Sequence, residues 1–213
     1  KILITGAEGQ LGKALQRELT GKFDIIPTAI NIPESGNNLY VKNLNITEQT
    51  QVQKIFDEVQ PDIIINCAAY TDVDGSEKNK NQAHLVNVVG VQNLIHASDR
   101  DTYFVQISSD YVFDGDAGPY SEEDPTYPVN YYGKTKLEAE NILRGSRKKY
   151  LIIRPNVLYS EGLIFRSNFF AWVYRSLVNN NPISVVNDQI SNPTYVLHLA
   201  EAIIQLIILN TEG

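Results

Sequence analysis

The chain has 213 residues, 43% hydrophobic and 20% charged, with a net charge of −7; this is enough for one sizeable domain, or one domain and part of a second, of ordinary globular composition. The charge excludes a basic surface for nucleic acid, the basic run 144–149 reads as a solvated helix end, and no apolar run reaches membrane-spanning length. A single cysteine, Cys67, excludes an internal disulfide framework and fits a reducing compartment; with no signal peptide before the first apolar strand, the cytoplasm is the expected location.

In chain order, KILIT is a short apolar strand, followed by the glycine-rich GAEGQLG and a helix with Leu11, Leu15 and Leu19 on one face. FDIIPTAI is a second strand. Thr47 opens a helix whose core face is Val52, Ile55, Phe56 and Val59, and a third strand begins after Pro61. A long helix is predicted over 78–97, then the strand TYFVQISS, then a Gly/Pro/Asp-rich loop over 110–130. The helix carrying Tyr132 and the strand YLIIR follow. A helix over 168–178, a strand over 183–186, the loop NDQISNPTY and a final apolar helix to Asn210 complete the chain. Strands that alternate with helices imply βαβ units, and continuous apolar strands imply a parallel sheet covered on both faces. The expected fold is α/β, a Rossmann-type doubly wound parallel sheet over 1–155. Residues 156–213 are expected to form a smaller, partly missing substrate-binding region interleaved with the last elements.

TGAEGQLG places Gly6, Gly9 and Gly12 between a strand and a helix. In a dinucleotide-binding turn these positions serve the tight turn, the approach of backbone to a pyrophosphate, and close helix packing, with Glu8, Gln10 and Leu11 between them at the helix N-terminus. An acidic residue about 20 positions on would select NAD, a basic one NADP. Thr28, Asn31 and Glu34 stand there, so NADPH and NADH both remain open. NCAAY and ISSD end two further strands, on the side where parallel sheets bind ligands; Ala68 and Ala69 leave room, and Ser108 and Ser109 carry hydroxyls suited to a substrate oxygen or to a loop turn.

NYYGKTKLE sets two tyrosines before two lysines. Residues four apart share a helix face, so Tyr132 is paired with Lys136 and Tyr131 with Thr135. An ammonium beside a phenol lowers its pKa from about 10, which suits proton transfer. His84, His96 and His198 have no metal-ligand spacing, and no metal is expected.

TGAEGQLG, ISSDYVFDG, YGKTKLEAE and SNPTY, in this order, resemble the extended short-chain dehydrogenase/reductase superfamily, and within it the dTDP-4-dehydrorhamnose reductase family, over essentially the whole chain. The resemblance implies Ser109, Tyr132 and Lys136 as the catalytic set. It implies Asn45 and Ile46 at the adenine, and Cys67, Ala68, Ala69, Ile107 and Ser108 along the cofactor. Tyr70, Arg154 and the 191–195 loop belong near nicotinamide or substrate, and Asp110, Tyr111, Val112, Phe113 and Asn156 near the sugar. Arg166 and Arg175 are candidates for a substrate pyrophosphate. The implied reaction is NAD(P)H-dependent reduction of a nucleotide-sugar 4-ketone, with dTDP-4-dehydro-L-rhamnose as the substrate and a homodimer compatible with the family. Two alternatives share the motifs: another sugar-nucleotide epimerase or reductase, and a non-catalytic NADP-binding subunit resembling the regulatory subunit of methionine adenosyltransferase.

Overall fold

The computed structural model describes residues 1–30, 41–160 and 169–213. Its centre is a six-stranded parallel sheet in the order β3-β2-β1-β4-β5-β6. The strands are β1 Ile2–Thr5, β2 Ile25–Ala29, β3 Lys42–Asn43, β4 Ile63–Asn66, β5 Tyr103–Ile107 and β6 Tyr150–Ile153. The order reverses between β1 and β4, and the crevice that such a reversal opens beyond the strand ends is where doubly wound folds hold ligands.

Alternating side chains on each strand feed two cores. Ile2, Ile4, Ile65, Tyr103 and Val105 face the layer made by α1 (Gln10–Leu19) and α8 (Val196–Ile208). Leu3, Ile64 and Phe104 face the layer of α2 (Gln49–Val59), α5 (Gly90–Ala97) and α6 (Tyr131–Gly145). The expected face Leu11, Leu15 and Leu19 of α1 is buried against Ala200, Ile203 and Ile207 of α8. Full burial of each such side chain contributes about 1.5–3 kcal/mol before entropy is charged against it. The last residues run beside β6, where Gly213 donates to the Tyr150 carbonyl and accepts from the Ile152 N–H.

Three local expectations are corrected. The helix predicted over 78–97 is divided: α3 spans Val73–Lys78, capped by Asp72, and α4 spans Lys80–His84. A π-helical turn, Leu85–Val89, then leads into α5. The strand expected over 183–186 does not form, because Val185 and Val186 are exposed and have no neighbouring strand among the described residues. A short pair, β7 (Leu158–Tyr159) with β8 (Thr194–Tyr195), occurs instead, beside α7 (Phe169–Val178). Finally, α2 begins at Gln49 after Glu48, while Thr47 bonds back to the Asn45 side chain. Among the described residues no helix is long and apolar enough to cross a membrane.

Candidate active site

The carboxyl ends of β1, β2, β4, β5 and β6 open on a cavity of about 750 Å³. Its floor begins at the turn after β1. Gly6 has a φ of +63°, and a Cβ there would lie 2.7 Å from the Ala68 nitrogen. At Gly12 a Cβ would lie 2.5 Å from the Gly6 carbonyl oxygen, so α1 seats directly on the turn. Gly9, at the N-cap of α1, contributes no side-chain acceptor, and the positive end of the helix points at the cavity wall made by Glu8 through Gly12.

A buried polar row braces the strand ends beneath. Thr5 Oγ1 donates to Asn66 Oδ1 (2.5 Å), and Asn66 Nδ2 donates to Gln106 Oε1 (2.8 Å). The Ala68 N–H donates to Thr5 Oγ1, which fixes the Cys67–Tyr70 segment on the wall. Asn87, buried in the π-helical turn, accepts from the Tyr70 N–H and donates to the Tyr70 carbonyl and to Thr135 Oγ1. These residues escaped the sequence reading, since nothing in their spacing marks them; the polar Asn87 inside a helical apolar stretch was the one available signal.

The opposite wall comes from α6. Asn130 caps it by accepting from the Gly133 N–H (2.7 Å), which sets the helix to start at Tyr131 and turns Tyr132 and Lys136 inward. Tyr131 instead lies outside, its N–H bonded to Glu77 and its ring under Lys80. Tyr132 is buried, with its ring edge-on to Tyr111 at 5.8 Å. Ser109 lies at the end of β5, where its hydroxyl donates to Asp110 Oδ1 (3.0 Å). Burial pushes the Tyr132 phenol up to about 12, and a hydrogen bond with Ser109 opposes that rise. Burial also brings the Lys136 ammonium down to about 8, against the nearby Glu140 carboxylate. Lys136 Nζ donates to the Ile107 carbonyl (2.6 Å). The expectation that Lys136 lowers the Tyr132 pKa is therefore corrected: the phenol is governed by its burial, and the ammonium is turned toward the strand end.

The cavity brings together Gly6, Glu8, Gly9, Gln10, Leu11 and Gly12 with Asn45, Ile46, Cys67, Ala68, Ala69 and Tyr70. Ile107, Ser108, Ser109, Asp110, Tyr111, Tyr132, Lys136 and Asn156 complete the expected residues on its wall. Several expected residues are not on it. Arg154 makes a two-pronged ion pair with buried Glu140, through Nε (3.0 Å) and Nη2 (2.7 Å). Val112 is buried behind the wall, and Phe113 is stacked on Tyr120 at 4.5 Å with Arg154 over its ring. Tyr195 of the 191–195 loop packs on Tyr159 and His198, and Arg175 sits in the last turn of α7, both away from the cavity. Asn31, Glu34 and Arg166 lie outside the described residues. The wall also includes Ala29, Ile30, Leu44, Val86, Val157 and Leu158, apolar residues that the sequence assigned only to strands, helices or loops.

The model of the RmlD substrate binding domain matches residues 1–212. The chain is 39% identical to the spore coat polysaccharide biosynthesis protein SpsK of Bacillus subtilis, over 97% of this chain and 69% of that protein. It is 38% identical to the dTDP-4-dehydrorhamnose reductase of Aggregatibacter actinomycetemcomitans, over 97% of this chain and 67% of that one. Among solved structures it superposes on the dTDP-4-dehydrorhamnose reductase of Bacillus anthracis in complex with NADP with a TM-score of 0.87 at 38% identity, covering 100% of this chain and 72% of that one. The chain thus spans about two thirds of the length of these curated relatives. With the doubly wound sheet, the glycine turn and these matches together, the chain belongs to the dTDP-4-dehydrorhamnose reductase family.

Proposed function

We propose that the chain is the core of an NAD(P)H-dependent oxidoreductase that reduces the 4-keto group of a nucleotide sugar, with dTDP-4-dehydro-L-rhamnose as the substrate and dTDP-L-rhamnose as the product. The observation that carries this reading is that Ser109, Tyr132 and Lys136 line the same cavity as the Gly6–Gly12 turn. The turn fits a dinucleotide pyrophosphate, because side chains at Gly6 and Gly12 would fill the space that the backbone and helix end use. The printed activity of the relatives, and NADP in the Bacillus anthracis structure, agree with it.

When bound, the dihydronicotinamide supplies a hydride to C4 of the sugar. Tyr132 gives its phenolic proton to the carbonyl oxygen, so ketone, hydride and proton balance as the alcohol. A phenol held near 12 is protonated throughout the working pH range, and an alkoxide is basic enough to take its proton. Ser109 turns its hydroxyl from Asp110 to the same oxygen and stabilises the charge developing there. Lys136 adds a buried positive charge on the Tyr132 side of the cavity and holds the cofactor ribose. Tyr70, Asp110, Tyr111 and Asn156 surround the sugar.

The test incubates the full-length protein with dTDP-4-dehydro-L-rhamnose and follows nicotinamide absorbance with NADPH and NADH in separate reactions. SpsK is named for spore coat polysaccharide, so a second dTDP-4-keto sugar is assayed in parallel. Tyr132→Phe is expected to lose about 10²–10⁴-fold in turnover. Coenzyme binding without turnover of either sugar, or full activity in the phenylalanine variant, overturns the reading.

A further inference from the structure

Glu140 is fully buried, and the mechanism above gives it no part. It lies on the same face of α6 as Tyr132 and Lys136, each four residues on from the last, and all three are buried. A carboxylate in such a place is costly unless every lone pair is met. Here it is met from three sides. Ser108 Oγ donates to Oε1 (2.5 Å), Arg154 donates to both oxygens (3.0 and 2.7 Å), and Arg144 Nη2 lies 3.1 Å from Oε2.

The partners are not scattered. Ser108 stands between Ile107, whose carbonyl accepts from Lys136, and Ser109, which bonds with Tyr132. Its own N–H donates to the Ile153 carbonyl of β6, next to Arg154. Arg154 in turn covers the Phe113 ring of the segment that follows Asp110 and Tyr111. One carboxylate therefore joins α6 to the ends of β5 and β6 at the point where the three catalytic residues meet.

We propose that Glu140 is a positioning residue: its carboxylate, seated on Ser108 and Arg154, fixes α6 against the end of β5 so that Tyr132 and Lys136 face Ser109. Arg154 is thereby its counter-ion and not a ligand to cofactor or sugar. The catalytic part of this proposal rests on the reductase reading given above. Its electrostatic part does not. The groups facing Lys136 are Glu140 and Tyr132 on its own helix and Cys67 beyond β4, with Arg144 and Arg154 behind Glu140. The Glu140 carboxylate is the charge that most strongly opposes the effect of burial on the ammonium.

The test compares wild type with Glu140→Gln, which keeps an acceptor but loses the charge, and Glu140→Asp, which keeps the charge but draws it back by one methylene. Competitive acetylation of the unliganded protein across pH, read at Lys136 by mass spectrometry, needs neither coenzyme nor sugar. The Lys136 titration is expected to fall by roughly 1 unit or more in Glu140→Gln and to stay in place in Glu140→Asp. The kcat of both variants is expected to fall by about 10–10²-fold with little change in KM, the effect of a small misplacement of catalytic groups. In Glu140→Gln alone the alkaline limb of the rate profile moves to lower pH. Should Glu140→Gln fail to fold, Glu140→Asp still decides the positioning claim through kcat. An unshifted Lys136 titration in Glu140→Gln, or a wild-type kcat in the aspartate variant, overturns the proposal. A protein that reduces no 4-keto sugar but shows the titration shift overturns the reductase reading instead.

Discussion

Replacing Gly133 by alanine pushes a methyl group into the joint between α6 and the turn after Ser109. The added Cβ would lie 2.1 Å from the Tyr111 carbonyl oxygen, against the 3.4 Å at which ordinary contact begins. The obstacle is backbone, so α6 and the 110–112 turn must separate by about an ångström to admit it. Overpacking of this kind costs about 1–3 kcal/mol, and alanine returns roughly 1 kcal/mol through its higher helix propensity. At about 2–4 °C per kcal/mol for a domain of this size, the Tm drops by no more than roughly 10 °C and the variant remains folded. Catalysis suffers far more, because Tyr132 and Ser109 stand on opposite sides of the opened joint. A displacement of about 1 Å between reacting groups costs on the order of 10²-fold in rate. Dinucleotide affinity, set mainly at the Gly6–Gly12 turn with Lys136 of α6 holding only the ribose, should change by no more than about tenfold, a difference below roughly 1.4 kcal/mol. Steady-state kinetics, coenzyme fluorescence titration and a thermal melt measure the three quantities on one preparation. A Gly133→Ala protein with wild-type kcat would refute the close approach of helix and turn, and equal losses in affinity and rate would refute the separation of the two walls.

The complementary change, Gly12→Ala, drives a Cβ to 2.5 Å from the Gly6 carbonyl oxygen and lifts α1 from the turn; coenzyme affinity is expected to fall about tenfold or more, as when a ligand loses about 1.4 kcal/mol, and titration by fluorescence checks it. Lys136→Met should abolish turnover yet leave the fold at least as stable near neutral pH. The sign follows from the titration: the folded pKa of about 8 lies below the ordinary 10.5, so the unfolded chain binds more protons between those values. Stability from this group therefore rises as pH rises from about 8 to 10.5, by roughly 3 kcal/mol, and the methionine variant lacks that rise in urea titrations repeated across pH. Asn87→Leu strands the half-buried Tyr70 N–H and carbonyl and leaves the buried Thr135 hydroxyl with only its bond to the Tyr132 carbonyl. A loss of about 2–4 kcal/mol is expected from chemical denaturation, and weakened coenzyme binding from the displaced Tyr70 segment. Ile203→Ala on α8 should cost about 2–5 kcal/mol by the same measurement without affecting the alkaline limb of the rate profile.

Much of this fold is legible because its strands are buried on both faces. Ile2 to Ile4 and Ile63 to Ile65 read as unbroken apolar runs, and Leu11, Leu15 and Leu19 announce their helix by spacing alone. The glycine turn was equally plain, since only glycine meets both the +63° φ at position 6 and the tight seat of α1 at position 12. What escaped is held by tertiary partners. Lys42 and Asn43 have no apolar pattern and form β3 only by pairing with Thr28 and Ala29. Val185 and Val186 have the composition of a strand but, among the described residues, no strand beside them. The π-helical turn inserts a residue that the period of a helix does not foretell, and it serves to aim Asn87 at Tyr70. Within the site, Tyr132 and Lys136 follow from four-residue spacing, but Arg154 and Glu140 are fourteen positions apart on different elements. No local rule joins them. The pKa of Tyr132 was also beyond reach, because burial outweighs a neighbouring charge only when the whole cavity is known.

The central claim is that hydride moves from a nicotinamide to the sugar inside the cavity shared by the glycine turn and Tyr132. The most direct measurement supplies NADPH deuterated at both C4 positions with dTDP-4-dehydro-L-rhamnose, and examines the dTDP sugar by mass spectrometry and proton NMR. One deuterium at C4 of the sugar, with none in a Tyr132→Phe reaction run for the same time, is the result expected. A sugar product without deuterium at C4, or label that arrives equally in the phenylalanine variant, would contradict the account.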